Sequence, residues 1–434
     1  MKKFKNNILF KNIMILLLGG ATSKILGMVG KIIFTRIAGV NVVALYTLIT
    51  PTLMLIIALT QFSFPISISK LSAEEKYDNN SLLKSAYFIG IIVDIILIIM
   101  VIFTSNVTAN MLHSKALETP IKSIILIIPF VTVSSIQRGF LHGKEDMLAP
   151  SITSITEEVI KIILSFLILP YAILKGRIIA ITSIILFNIV MELVSILIMK
   201  NTINKKYLNK NKGYVKLDII KEILGISMPT TSVRLISQIG FFLEPIILTN
   251  TLVNSGLSSN YITLEYGIIN SYITPLLSMP TFFSISIAAA LLPNITKAYY
   301  NKKYKEFNSK IRKLMLISIL IGIISLVVIL GFPYKILKLV YGVTYGINYL
   351  YIIGPFFIIL YLQPTLSVSL QAMNKTNKLF IISIISITIK YIVLYILCKS
   401  GFGIKGFLYT IITGIVITTS LMMYFTLKEI KKQE

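Results

Sequence analysis

Tryptophan is absent from the 434 residues, cysteine occurs once and histidine twice. A single cysteine, Cys398, excludes an intramolecular disulfide and a thiolate metal cluster. His113 and His142 lie far apart in polar segments and make no ligand pattern. With no tryptophan, interfacial anchoring falls to tyrosine, lysine and arginine. Charge is scarce as well: 14% of the residues are charged, against about a quarter in soluble chains. No HExxH, Walker A loop or GxSxG elbow is present, and no paired acids sit on a plausible soluble segment. An enzyme is therefore not expected, nor a metal or other cofactor.

What fills the chain is hydrocarbon. Hydrophobic residues make up 55%, and the mean hydropathy is +0.84. Membrane spans need about 20 consecutive apolar residues. Twelve stretches meet that need, at 10–36, 42–69, 85–105, 119–138, 150–172, 178–199, 220–252, 262–293, 314–332, 347–372, 379–398 and 404–427. The fold class expected is an all-α polytopic membrane protein. Lys2, Lys3 and Lys5 followed by Ile13–Leu18 resemble a signal peptide, but the apolar pattern resumes through Ile25–Ile37 and reads as one uncleaved first span.

The formal charge of +25 follows topology. Lys and Arg crowd the N-terminus, the C-terminus and every second loop, which puts both termini in the cytoplasm of a multi-pass plasma-membrane protein. Such a surface attracts anionic membrane lipids. No nucleic-acid motif accompanies it, so nucleic acid is not an expected partner.

The polar, lysine-rich stretch 201–218 separates six spans in 1–200 from six in 219–434. Both sets begin on the same side, so any repeat is parallel. Pro65–Ser69 echoes Phe283–Ile287, and Pro129-Phe130 echoes Pro355-Phe356. The expectation is two pseudo-symmetric six-helix lobes joined by a cytoplasmic linker.

Charges inside spans are costly, roughly 2.5–3.5 kcal/mol each at mid-membrane, and so need a partner or a polar cavity. Lys24 and Lys31 stand two helical turns apart on one face, with no acid at helical spacing. An anion from elsewhere, a carboxylate or a phosphate, has to meet them. Arg234 also lacks a local acid and shares a face with Gln238. Lys24, Lys31, Arg234 and Gln238 are the candidate substrate contacts. Glu157 and Glu158 precede Lys161 at ion-pair spacing, which leaves one carboxylate over for a neighbour or a coupling ion. Glu244 and Asp94 are further coupling or ion-pair candidates, and Glu192 and Lys390 are single charges. Arg138–Lys144, with its Gly139–Gly143 spacing, reads as a tight cytoplasmic turn.

Four segments resemble the stage V sporulation protein B branch of the polysaccharide-transporter group, relatives of the lipid II flippase in the MATE-like flippase superfamily. They are Ser23–Gly27 with Thr35–Gly39, Leu45-Tyr46 and Pro51; Pro65–Glu74; Arg138–Phe140 with Gly143, Met147, Pro150, Ser154, Glu157-Glu158 and Lys161; and Tyr266-Gly267 with Pro275-Leu276, Pro280 and Leu291–Pro293. The resemblance implies two six-helix lobes around a central cavity. It further implies export of undecaprenyl-pyrophosphate-linked cell-wall or polysaccharide precursors by alternating access, with spore cortex formation as one setting. Lys24 matches a basic, substrate-related position of the first span. A second basic position falls on Gly30 beside Lys31, and a third falls near Leu55 and is lost. The span-5 glutamate is Glu157 or Glu158, and the span-7 acid is Glu244. Well-known relatives carry fourteen spans, two more than are counted here. The expected partner is a lipid-linked oligosaccharide or a lipid II-like molecule. Two rival readings are a MATE-type drug or organic-cation antiporter, which would use the glutamates, and a non-transporting membrane assembly protein, which would use the lysine-rich loops.

Overall fold

A computed structural model of the protein describes residues 2–208 and 213–431, and among them there is no strand. The helices that matter below are α1 (Lys2–Gln61), α2 (Phe64–Glu74), α3 (Asn79–Met111), α4 (Ile128–Gly143), α5 (Leu148–Leu167), α6 (Arg177–Lys206) and α7 (Leu217–Asn254). They are followed by α8 (Ser259–Ile268), α9 (Thr281–Tyr300), α10 (Tyr304–Gly331), α11 (Gln363–Ala372), α12 (Thr376–Leu397) and α13 (Ile404–Lys431).

Eight helices among the described residues are long and apolar enough to cross a membrane, or ten when each of two bent pairs counts as one span. The count falls below the twelve expected stretches for local reasons. Two stretches, 10–36 and 42–69, merge in one run, which breaks at Phe62-Ser63 between α1 and α2 and, within α1, at Gly39, with φ 70° and ψ 164°. That left-handed backbone favours glycine. The stretch 150–172 is cut at Ile168, where Pro170 starts a separate short helix, Leu169–Lys175. Pro129 likewise starts α4 after a 3-10 turn, Ile124–Leu126, and the pair bends by 42°.

The chain divides into two compact units, one ending at Phe242 and the other beginning at Leu243. The division falls inside α7, beyond the 201–218 stretch taken above as the linker. The first half of α7 belongs to the first unit because a row of polar groups ties it to α1 and α2. Ser227 donates to the Ser67 hydroxyl at 2.8 Å, Thr231 donates to Ser63 at 3.0 Å, and Arg234 donates to Gln61. At the start of α7, Glu222 accepts from Tyr77 at 2.8 Å and pairs with Lys76. Ile219 and Ile223 join a core made by Phe64, Ile68, Ile136 and Phe140. The second unit has its own core around Ile295, Phe307, Ile311, Leu370 and Met373.

Arg138–Gly143 is not a turn. The segment continues α4, and its two glycines face α2. A Cβ on Gly139 would come within 2.9 Å of the Phe64 carbonyl, and one on Gly143 within 2.3 Å of the Ser69 carbonyl. Small residues four apart let two backbones approach closely, the packing logic of a GxxxG face. The apolar residues Ile136, Phe140 and Leu141 are buried, so the periodicity runs past Arg138 and holds the helix together. Gly143→Ala is expected to destabilise the purified protein by roughly 1–3 kcal/mol through overpacking, read as a lowered melting midpoint in detergent. Gly225→Ala, with open space around its Cβ, is expected to be neutral or slightly stabilising.

Candidate functional site

The site grows from the seam between α1 and α5. Small residues of α1 line it. A Cβ on Gly19 would meet Ser151 at 2.7 Å, the Ser23 hydroxyl donates to the Ser154 carbonyl at 3.1 Å, and a Cβ on Gly30 would meet Ile162 at 3.2 Å. Between them, Gly27 leaves room for the Glu158 carboxyl, 3.3 Å from where a Cβ would stand. Glu158 therefore lies across the first helix. Its nearest cation is Lys161, at 3.8 Å, and its Oε2 is buried with no hydrogen-bond partner.

The candidate lysines flank this seam. Lys31 is half-buried on α1, close enough to Lys161 for the two ammonium groups to repel each other. Lys24 is exposed on the same helix and has no acid within 4 Å among the described residues. Lys31 and Lys161 thus share the seam with one carboxylate, Glu158, and Lys24 stands two turns away from Lys31 along α1. In surroundings of low dielectric such an excess favours an anion strongly. Nothing in the spacing of Lys31 along the chain pointed to Lys161; only the packing of α1 on α5 brings the two together.

Glu157 does not pair with Lys161. Its Oε1 accepts from Arg138 on α4 at 2.8 Å and from the Ser195 hydroxyl on α6 at 2.6 Å. Arg138 also donates to Ser154 at 3.3 Å. Glu157 and Glu158 are neighbours on a helix, so their side chains diverge by about 100°. One turns toward α4 and α6, the other toward α1. Glu192, expected as a single charge, lies beside Ser134, Glu157 and Arg138, and its Oε2 is buried without a partner. One guanidinium therefore serves two carboxylates. Arg138 had been read as part of a loop, yet the apolar run beyond it was the signal that it sits on a helix.

The other candidates lie elsewhere. The partner of Arg234 is Gln61, and no acid lies within 4 Å of it among the described residues. Gln238 is half-buried one turn further along α7. Neither is joined to Lys24 or Lys31 by a described contact. Asp94 on α3 is buried and accepts from the Thr132 hydroxyl of α4. In the second unit Glu244 is buried, pairs with Lys390 of α12 and accepts from the Tyr266 hydroxyl at 3.4 Å. Among the described residues no group of three or more His, Cys, Asp or Glu could hold a metal ion.

Known proteins share this sequence pattern and this fold. Residues 9–299 match the polysaccharide biosynthesis protein family, and residues 245–396 match MatE. Stage V sporulation protein B of Bacillus subtilis (strain 168) is 29% identical, over 95% of this chain and 82% of that protein. An inward-facing multidrug resistance MATE family transporter of the MOP superfamily superposes with a TM-score of 0.74 at 14% identity, covering 94% of each chain. The lipid II flippase MurJ in its inward closed conformation superposes with a TM-score of 0.71 at 17% identity, covering 97% of this chain and 90% of that one.

Proposed function

The chain belongs to the polysaccharide biosynthesis protein family, and from that we propose that it is a flippase moving a lipid-linked polysaccharide or cell-wall precursor across the plasma membrane. The reading is supported by the relatives' names, Stage V sporulation protein B and lipid II flippase. The observation that carries it is the cationic group at the α1–α5 seam. Lys31 lies near Lys161 with Lys24 two turns away, and Glu158 is the one acid among them. That group suits a pyrophosphate. A diphosphate offers several strong acceptors to ammonium donors, and charge-assisted hydrogen bonds are the strong class. Hydrophobic surroundings raise their value further.

In this scheme Lys24, Lys31 and Lys161 hold the pyrophosphate, and Glu158 keeps the empty group from carrying three unbalanced charges. Arg234 and Gln238 make contact with the remainder of the headgroup, the sugar being the natural hydrogen-bonding target. Glu157, Arg138 and Glu192 brace α4, α5 and α6, and Glu244 with Lys390 braces the second unit. The cycle is alternating access of the substrate group to the two sides of the membrane. Spore formation is the proposed setting, on the strength of the sporulation relative alone.

A drug antiporter would need a free carboxylate to exchange a cation for a drug. Glu157, Glu158 and Glu244, the glutamates that reading would use, each have a cation within 4 Å, which weighs against it. The test is reconstitution of the whole chain in vesicles with a fluorescent polyprenyl-pyrophosphate oligosaccharide and, separately, a lipophilic cation. Protein-dependent movement of the first and not the second supports the flippase. Movement of the cation alone would overturn it.

A further inference from the structure

A second site stands apart from the seam and does not depend on the flippase reading. Helices α3, α4 and α6 enclose a cavity of about 750 Å³ in the first unit, within the range of small-molecule sites. Its longest wall is one face of α3. The residues Asn80, Leu83, Lys84, Tyr87, Ile91 and Asp94 recur at helical spacing along it. From the first to the last the rise is about 21 Å. A membrane leaflet contributes about 15 Å of hydrocarbon, so the cavity is a slot reaching from the polar edge of the membrane to about its middle.

Chemistry changes along the slot. At the mouth stand Lys84 of α3 and Lys200 of α6, both exposed, with the amides of Asn80 and Asn204. Leu83 and Ile203 stand beside them, and below them the walls are apolar, made by Ile91, Val133 and Ile196. The Asp94–Thr132 pair forms the floor. Helix surfaces beside the slot face hydrocarbon: Phe88, Ile95 and Leu197 are 45%, 52% and 64% exposed. On the inner wall about one turn below Lys84, Tyr87 lies beside Gln137. Gln137 is 3% exposed and its amide oxygen has no hydrogen-bond partner.

The rim is also built in place. The Tyr214 N–H donates to Ser81 and the Lys216 N–H to Ser85, both at 3.1 Å. Gly213 is seated so closely that a Cβ would lie 2.5 Å from the Asn80 carbonyl carbon. Residues 213–216 are thus pinned beside the opening, and the slot is shaped without a ligand.

The geometry points to a binding site for one anionic phospholipid of the leaflet that borders Lys84 and Lys200. Its phosphate lies between Lys84 and Lys200. One acyl chain follows the apolar walls toward Asp94. The two lysines come from different helices, so the lipid bridges α3 and α6. Charge complementarity selects the anionic phosphate, and the hydrocarbon-facing surroundings select a lipid over a soluble phosphate.

The test is lipid retention by the purified full chain, measured by native mass spectrometry after exchange into mixed micelles of phosphatidylglycerol and phosphatidylcholine. One phosphatidylglycerol is expected to be retained in preference to phosphatidylcholine. The Lys84→Ala, Lys200→Ala pair is expected to weaken retention about tenfold or more, at roughly 1 kcal/mol per surface lysine. Lys205→Ala, an exposed lysine outside the slot, is expected to leave it unchanged. Ile91→Trp, which fills the slot at unchanged charge, is expected to abolish retention. Equal loss in Lys205→Ala and in the double variant would reduce the site to general electrostatics and overturn the proposal. Displacement by inorganic pyrophosphate alone would overturn the lipid as occupant. Displacement by a polyprenyl-pyrophosphate but not by phosphatidylglycerol would assign the slot to the transported substrate and overturn it as well.

Discussion

Replacing Lys31 and Lys161 together by alanine is expected to slow precursor flipping by about 100-fold while the protein remains folded. Each charged hydrogen bond to the pyrophosphate contributes roughly 1.5–3 kcal/mol, and 1.4 kcal/mol corresponds to a factor of ten. Two such bonds account for the effect. Lys24→Ala alone is expected to cost about tenfold on the same scale, since Lys24 is exposed and faces more water. The informative partner is Glu158→Gln. If the group holds an anion, removing its one carboxylate should strengthen pyrophosphate binding, because the lysines lose their internal competitor. If Glu158 and the lysines merely brace α1 against α5, the same change should lower stability and leave binding unaltered. Titration of the purified protein with a polyprenyl-pyrophosphate separates the two: tighter binding in Glu158→Gln supports the clamp, and unchanged binding in both Glu158→Gln and the lysine pair rejects it.

Arg138→Met is expected to be the most damaging single change to the first unit, at about 3 kcal/mol or more. Arg138 pairs with Glu157 at 2.8 Å, and their side chains are 27% and 20% exposed. Glu192 lies beside them. Removing the guanidinium leaves two carboxylates facing each other between α4, α5 and α6. Breaking a buried pair from one side typically costs 3–5 kcal/mol, whereas removing both partners is often close to neutral. The triple change Arg138→Met, Glu157→Gln, Glu192→Gln is therefore expected to recover most of the lost stability. Melting of the purified variants tests this. A triple variant no more stable than Arg138→Met would mean that Arg138 holds the helices by packing, not by charge.

The two expectations rest on different kinds of information. Apolar run lengths and the scarcity of charge were sufficient for the membrane class, because crossing hydrocarbon is a requirement on consecutive residues. Lys24 and Lys31 were legible for the same reason: a cation within an apolar stretch is visible without knowing what surrounds it. The resemblance in Ser23–Gly27 and Pro65–Glu74 added the family, which the match over 9–299 supports.

Partners were another matter. Glu157 had Lys161 at suitable helical spacing, yet its contacts are Arg138 and Ser195, on two other helices. Arg234 meets Gln61, far away along the chain. Spacing within one helix offers a pair worth only a few tenths of a kcal/mol, so a guanidinium presented by a neighbouring helix overrides it. The Gly139–Gly143 spacing was seen, but the surface it packs on was not, because a glycine records that something comes close without recording what. The sequence by itself determined the membrane class and which of its apolar stretches carry a charge. Tertiary structure alone decided which charges meet, because side chains far apart in the chain are brought within 3 Å only by the packing of helices, and the strength of an ion pair depends on that distance and on the solvent excluded around it.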